Sequence, residues 1–428
     1  HQNELPNKVI TSIDKVTDHI LDLAGDPTTS GEWFRRGMVL GHVQSGKTSN
    51  YSALICKAAD YGYKVIVLLT GMTNSLRTQT QQRINETFVG REASDIKSVQ
   101  KRRIGVGLFS KEGRQNPATL TTNESDFKTA NVKAVGGLRI SQLKVPLIFV
   151  CKKHSGTLQN LNEYFEQEIK EENKKNIDTT LLLIDDEADN ASINTKHNKG
   201  EITKINEGIR LILKKFNKKS YIGYTATPFA NIFIDINDED DLLKDDLFPR
   251  DFIKSLDAPS NYIGPNRIFK PYPEGDLAYR MIRSISDYRE SDCIPDKHKK
   301  NHVIEKMPES LEQAIRFFIL AKAIRVFRGD GKKHCTMMVN VTIFTDVQSN
   351  VEEKIQEYLD QIRDDIIMNC NSETPDHGSI MHVLEKEYEK EQKKLAARRA
   401  RRNRLEQSCL GRLNRDPDAL EDARYVFI

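Results

Sequence analysis

Gly37-Met-Val-Leu-Gly41-His-Val-Gln-Ser-Gly46-Lys47-Thr48 is the stretch on which the fold turns. A short apolar run, Met38 to Leu40, leads into Gly41, four further residues, then Gly46, Lys47 and Thr48, the spacing of a Walker A phosphate loop. Glycines let successive backbone N–H groups turn inward round a phosphate, and the helix that follows adds its positive N-terminal end. Lys47 is placed to reach the β- and γ-phosphates of ATP, and the Thr48 hydroxyl to meet Mg2+. Gly41, Gln44, Ser45, Gly46, Lys47 and Thr48 are therefore the candidate nucleotide-binding residues. The flanks agree with this reading: Met38 to Leu40 is strand-like, and Ser49 to Asp60 carries Tyr51, Leu54, Ile55 and Ala58 at helical spacing.

Working outward, 428 residues leave room for two or three domains, and 38% hydrophobic content is enough for ordinary globular cores. Lys and Arg total 65 against 62 for Asp and Glu, a net charge of +3 that gives no global steering towards nucleic acid or membrane. Any basic surface must be local. The six cysteines are scattered without Cys-x-x-Cys spacing, which argues against a structural zinc site or a disulfide framework and for reduced thiols in a cytoplasmic protein. No apolar run approaches the roughly 20 residues that span a bilayer, so no membrane partner is expected. The chain opens on His1, which points to a fragment or a trimmed chain.

Residues 1–30 read as a helical lead, with Val9, Ile13, Val16, Ile20 and Leu23 at three- and four-residue steps. Trp33 and Arg35-Arg36 sit just before the phosphate loop, where the readings are core packing or contact with the base. Lys64 to Thr70 is a continuous apolar run suited to a strand buried on both faces. The polar turn after it, with Thr73, Asn74 and Arg77, is either a nucleic-acid contact or a solvated helix start. Val145 to Val150 is another such strand, and Lys152 and Lys153 at its end offer phosphate contacts or a solvated strand end.

Leu181-Leu-Leu-Ile-Asp185-Asp186-Glu187-Ala-Asp189 is the second strong signal: a buried strand that delivers acidic residues where it leaves the sheet. In a P-loop enzyme one carboxylate there holds Mg2+ and a neighbouring Glu orients or deprotonates the attacking water. Asp186 is assigned to the metal and Glu187 to the water, with Asp185 as a second candidate ligand. The third signal is Tyr221-Ile-Gly-Tyr224-Thr225-Ala-Thr227-Pro228, a strand ending in small hydroxylated residues. Thr225 and Thr227 can bond the acidic cluster and pass the state of the γ-phosphate to a neighbouring domain, which makes them, with Asp189, the candidate coupling residues.

Together the three blocks resemble motifs I, II and III of superfamily-two helicases and translocases. Their wording is closer still to the bacterial Z-one domain family, described as endonucleases linked to restriction-modification and phage defence. The residues that carry the closer match are Gly41 to Thr48, Ile184 to Ser192, Gly223 to Asn231, Leu247 to Phe252 and Asn261 to Gly264, with Leu311 to Phe327 and Met337 to Val341 as a later helix and strand. The resemblance implies an α/β fold, a RecA-like P-loop parallel sheet with helices on both faces, over residues 31–235. The resemblance covers roughly residues 30 to 360; beside it, the Pro and Gly spaced through 236–310 read as an irregular connection, and 311–428 reads as a partial second α/β lobe. The resemblance further implies an ATP- and Mg2+-dependent, helicase-like hydrolase that acts on DNA. The alternatives are an ATP-gated module that assembles with a partner nuclease, methyltransferase or second ATPase, and an endonuclease. Two departures stand out. The arginine-bearing motif of a second RecA-like domain is not found, since Gln407 to Arg415 has its residue types at the wrong spacing. A nuclease reading rests on Pro375-Asp376 with Glu391-Gln392-Lys393, a triplet that acidic runs produce by chance. The basic run Lys393 to Arg404 is a DNA-backbone contact or a solvated helical face.

Overall fold

The computed structural model describes residues 7–42, 46–92, 102–109, 116–130, 139–193, 203–232, 246–257, 282–289, 293–332, 334–369, 376–390 and 392–393. They fall into two units, residues 1–264 and 265–428.

In the first unit the apolar runs become strands of one sheet: β1 (Trp33–Leu40), β2 (Val65–Thr70), β3 (Ala118–Thr119), β4 (Leu147–Lys152), β5 (Leu181–Asp186), β6 (Lys218–Thr225) and β7 (Phe252–Ser255). The seven strands lie in the order β3-β4-β2-β5-β6-β1-β7, and every pairing is parallel. Parallel strands need crossovers, supplied here by α2 (Lys47–Tyr61), α3 (Asn74–Ile84), α4 (Ser155–Glu171) and α5 (Lys204–Lys214), while α1 (Asn7–Ala24) precedes the first strand as a lead. The expected α/β class is what is found.

Because successive strand side chains point to opposite faces, the runs split cleanly. Val65, Val67, Leu69, Leu147, Phe149, Leu181 and Leu183 pack with α4 and α5. Ile66, Leu68, Ile148, Val150, Leu182 and Ile184 pack with α1, α2 and α3. Every residue of β2 is buried, as a central parallel strand requires. The helical lead closes this second face: Ile20 and Ala24 are buried, and the Tyr63 hydroxyl donates to the Ala24 carbonyl at 2.8 Å.

β7 departs from the expected irregular connection. Phe252–Ser255 pairs along Gly37–Leu40 as an edge strand. Its docking depends on a missing side chain, because a Cβ on Gly37 would lie 2.0 Å from the Phe252 ring. Gly37→Ala is expected to push that ring out and cost about 1–3 kcal/mol, as overpacking does. Denaturant unfolding reads this directly, and an unchanged midpoint would contradict it.

The base contact considered for Trp33 is corrected here. Trp33 begins β1 and stacks edge-on to Tyr63 at 6.1 Å, so the eight-residue strand, at about 3.3 Å per residue, separates it from the phosphate loop. Arg35 and Arg36 bind the chain leading to β7: Arg36 donates to Asp246 O at 2.5 Å, and Arg35 pairs with Asp251 at 3.4 Å.

In the second unit α6 (Glu309–Arg325) and α7 (Thr345–Asn369) pack through Met307, Ile315 and Ile362. Arg316, on α6, pairs with Glu387 at 2.9 Å and donates to the Tyr358 hydroxyl at 2.5 Å. The strand expected at Met337 to Val341 does not form: residues 334–344 have no strand pairing. Val339 and Phe344 pack instead beside Ile294, Ile304, Val347 and Val351. Among the described residues this unit holds helices and no strand.

Candidate functional site

Parallel pairing brings the carboxyl ends of the strands to one edge. Leu40 is in register with Thr225, Asp186 with Tyr224, and Thr70 with Lys152. The loops that follow β1, β2, β4, β5 and β6 therefore emerge together, at the edge where open α/β sheets hold ligands.

The phosphate loop leaves β1 at Gly41, whose amide donates to Thr225 O at 3.0 Å and so ties the loop to the end of β6. It rejoins regular structure at Gly46, which caps α2 with φ 92°, a left-handed conformation that glycine adopts freely. Lys47 and Thr48 thus open the first turn of α2. The Lys47 ammonium curls back over the loop, 3.0 Å from Gly41 O and 3.2 Å from His42 O. Burial lowers its pKa, while Asp186, Asp189 and Glu187 draw it back up. Gln44 and Ser45 lie outside the described residues.

Across from Lys47 stands the acidic turn. Asp186 ends β5, and burial followed by the charge of Glu187 raises its pKa, against hydrogen bonds from Tyr51 and the Glu187 amide. Tyr51, one turn into α2, also interacts with Thr48, and it meets Tyr224 edge-on at 5.5 Å. Glu187 has φ 55°, unusual for a residue with a Cβ, and its carboxylate projects to solvent above Gly71. Asp189 accepts from the Thr225 hydroxyl at 2.6 Å and the Thr227 hydroxyl at 2.5 Å, so the second and third motifs are joined by side chains.

Three of the candidate residues stand elsewhere than expected. Asp185 is fully buried, accepts from the Tyr221 hydroxyl at 2.8 Å and pairs with Lys153 at 3.1 Å. It faces the core, so it is not a metal ligand. Lys153 is buried with its ammonium spent on that pair and on backbone carbonyls, so it is not a phosphate contact. Arg77 is 2% exposed, and its guanidinium donates to Thr122 O and Asn123 O at 2.7 Å each, which makes it a clamp on the chain beside β4 and removes it from the nucleic-acid set. Thr73, which caps α3, and Asn74, bonded to Lys152 at 2.9 Å, stay on the outer edge.

Two residues that sequence reading passed over matter here. Tyr51 looked like one more apolar position of α2. Gly71, in the turn after β2, leaves room that a side chain would fill: a Cβ on it would meet Leu76 at 2.7 Å and the Glu187 carboxylate at 3.0 Å. Gly71→Ala is expected to displace that carboxylate; a structure of the variant checks this, and an unmoved Glu187 would contradict it.

The type III restriction enzyme res subunit family matches residues 1–230, more than half of the 428-residue chain. The chain belongs to that family. All three motif blocks fall within the match, which makes this unit a helicase-like domain of the restriction type. The Z1 domain matches residues 310–417, so that resemblance is present too and lies further along the chain than the motif blocks that suggest it. A comparison with curated proteins finds no match. Among solved structures the chain is similar to the ATP-dependent Type ISP restriction-modification enzyme LlaBIII bound to DNA, at 17% identity over 53% of this chain and 13% of that one, with a TM-score of 0.29. It is also similar to a nuclease-deletion mutant of the Type ISP enzyme LlaGI in complex with a DNA substrate mimic, at 14% identity over 91% of this chain and 30% of that one, again with a TM-score of 0.29. The chain thus spans less than a third of either.

This family implies a bound nucleotide and a divalent cation. Among the described residues no group of three or more His, Cys, Asp or Glu converges on a metal position. Mg2+ keeps waters, takes one or two protein ligands and completes its shell with substrate phosphates. Thr48 and Asp186, linked through Tyr51, are such a sparse set, and the opening turn of α2 with Lys47 fits a polyphosphate. Pro375 and Glu391 of the nuclease reading lie outside the described residues, as do Gln407 to Arg415 and the basic run beyond Lys393. No described helix is long and apolar enough to cross a membrane.

Proposed function

We propose that this chain is an ATP- and Mg2+-dependent helicase- or translocase-like ATPase that acts on DNA, working in the bacterial cytoplasm within a restriction-modification or anti-phage system. The observation that carries the reading is the single sheet edge shared by Lys47 and Thr48, Asp186 and Glu187, and the Asp189–Thr225–Thr227 bonds. On this reading the backbone amides of the phosphate loop and the Lys47 ammonium hold the β- and γ-phosphates. The Lys47 contacts to Gly41 O and His42 O are exchanged for phosphate oxygens. Thr48 and Asp186 hold Mg2+, which when bound draws charge off the phosphate oxygens. Glu187, exposed and projecting over Gly71, orients the attacking water and accepts its proton.

Asp189 then has a distinct role. Its two carboxylate oxygens fix Thr225 and Thr227, and the Thr225 carbonyl in turn holds the Gly41 amide at the mouth of the phosphate loop. A change at the γ-phosphate reaches the end of β6 along these bonds. For DNA, the family supports the reading, and Thr73, Asn74 and Lys152 offer polar contacts at the outer edge.

The test is steady-state ATP hydrolysis with and without single- and double-stranded DNA, on this protein and on Lys47→Ala. A Lys47-dependent rate that DNA raises is the expected result. ATP binding with a rate that DNA leaves unmoved would favour assembly with a partner nuclease, methyltransferase or second ATPase in place of movement along DNA.

A further inference from the structure

Among the described residues, Lys153 is the one buried ammonium of this edge that the chemistry above does not use. Its side chain is fully buried at the end of β4, next to the turn that carries Glu187. The ammonium has three donors, and three backbone carbonyls receive them: Asp186 O at 2.8 Å, Glu187 O at 2.5 Å and Asn190 O at 2.9 Å. Ser192 Oγ lies at 3.4 Å, and Asp185 Oδ1, at 3.1 Å, supplies the countercharge. A charge this deep is costly to place and is retained only where its partners are complete.

Those partners define the shape of the acidic turn. Carbonyls from three of its residues are drawn inward to one point, and the backbone answers with left-handed conformations at Glu187 (φ 55°) and Ala191 (φ 66°). With the carbonyls held inward, the Glu187 side chain is left facing out over Gly71. The amides are fixed as well: Ala188 N donates to Tyr224 O at 3.0 Å, and Asn190 N to Glu187 O at 2.9 Å.

We infer that Lys153 is the positioning residue of the hydrolytic turn: its ammonium gathers the carbonyls of Asp186, Glu187 and Asn190 and thereby sets Glu187 for water activation. This rests on the ATPase reading above. Lys152, its neighbour on β4, leaves the strand in the other direction and bonds Asn74 at 2.9 Å on the outer surface. The same strand end therefore touches both the hydrolytic turn and the edge assigned to nucleic acid.

The test uses Lys153→Met together with Lys153→Met/Asp185→Asn, the second removing both buried charges so that the core stays neutral and the Tyr221 hydroxyl keeps an acceptor. The first readout is amide hydrogen exchange, independent of activity. Exchange at residues 187–191 is expected to rise at least tenfold in the double variant, with the other strands of the sheet unchanged. Unchanged exchange there would overturn the proposal, whatever the rates.

The second readout is ATP turnover. In the double variant kcat is expected to fall at least tenfold with KM for ATP within about twofold of the parent protein, and adding the double change to Glu187→Gln should lower kcat no further. Full kcat, or an additive loss in the Glu187→Gln background, would show that Lys153 does not act through Glu187. If the parent protein has no Lys47-dependent turnover but exchange rises as expected, the ATPase reading fails and the hold of Lys153 on the turn stands.

Discussion

Glu187→Gln is expected to lower ATP turnover by about 100-fold or more, the usual scale for removing a general base, while the protein still binds ATP. Three features single this residue out among four acidic neighbours. Asp185 is sealed in the core against Lys153 and Tyr221, Asp186 is tied to Tyr51 beside Thr48, and Asp189 is occupied by two threonine hydroxyls. Glu187 alone of the four is exposed, with its carboxylate over a glycine that makes way for it. The amide keeps the size and most polar contacts of the carboxylate but cannot take a proton at neutral pH. Turnover and nucleotide affinity should therefore separate, with kcat falling and affinity holding. An undiminished rate would remove Glu187 from the chemistry.

The second large effect is on stability. Asp185→Ala should cost about 3–5 kcal/mol, because it leaves the Lys153 ammonium buried without its countercharge and the Tyr221 hydroxyl without its acceptor. Replacing both members of the pair is expected to restore part of that loss, since no buried charge is then left unpaired, while the carbonyls of Asp186, Glu187 and Asn190 still lose their donor. Urea unfolding of the single and double variants gives the comparison. If Asp185 were instead a metal ligand, the single variant would unfold at the parental midpoint and lose its Mg2+-dependent rate, the reverse of the pattern expected here.

The sheet was legible because its central strands are buried on both faces. β2, β4 and β5 show as uninterrupted apolar runs, and a run of that kind bounded by turns has few other places to go. The same logic placed the chemistry, since residues directly after such strands must emerge at the carboxyl edge. What stayed hidden follows from the same physics. β7 is four residues long, contains Lys254 and Ser255, and lies at the rim, where no apolar pattern is required. The Met337 to Val341 run has the composition of a strand, but composition does not supply neighbours to pair with.

Buried polar residues were harder still. Lys152 and Lys153 are chemically identical and adjacent, yet the pleat sends one to Asn74 at the surface and the other beneath the Glu187 turn. Nothing local distinguishes them, because the partner that decides the matter, Asp185, belongs to a strand separated from β4 by β2. Arg77 gives the same lesson: its helix looks solvated from sequence, and only the chain at Thr122 and Asn123 passing over it turns it into a clamp.

The claim on which everything else depends is that this edge holds a nucleotide through Lys47. Calorimetric titration of ATP with Mg2+ into the protein and into Lys47→Ala addresses it without requiring turnover, DNA or a partner. Saturable binding to the parent protein, weakened at least tenfold in Lys47→Ala while both unfold at the same midpoint, is the predicted result. Equal affinity in the two proteins, or no binding to either, would contradict it.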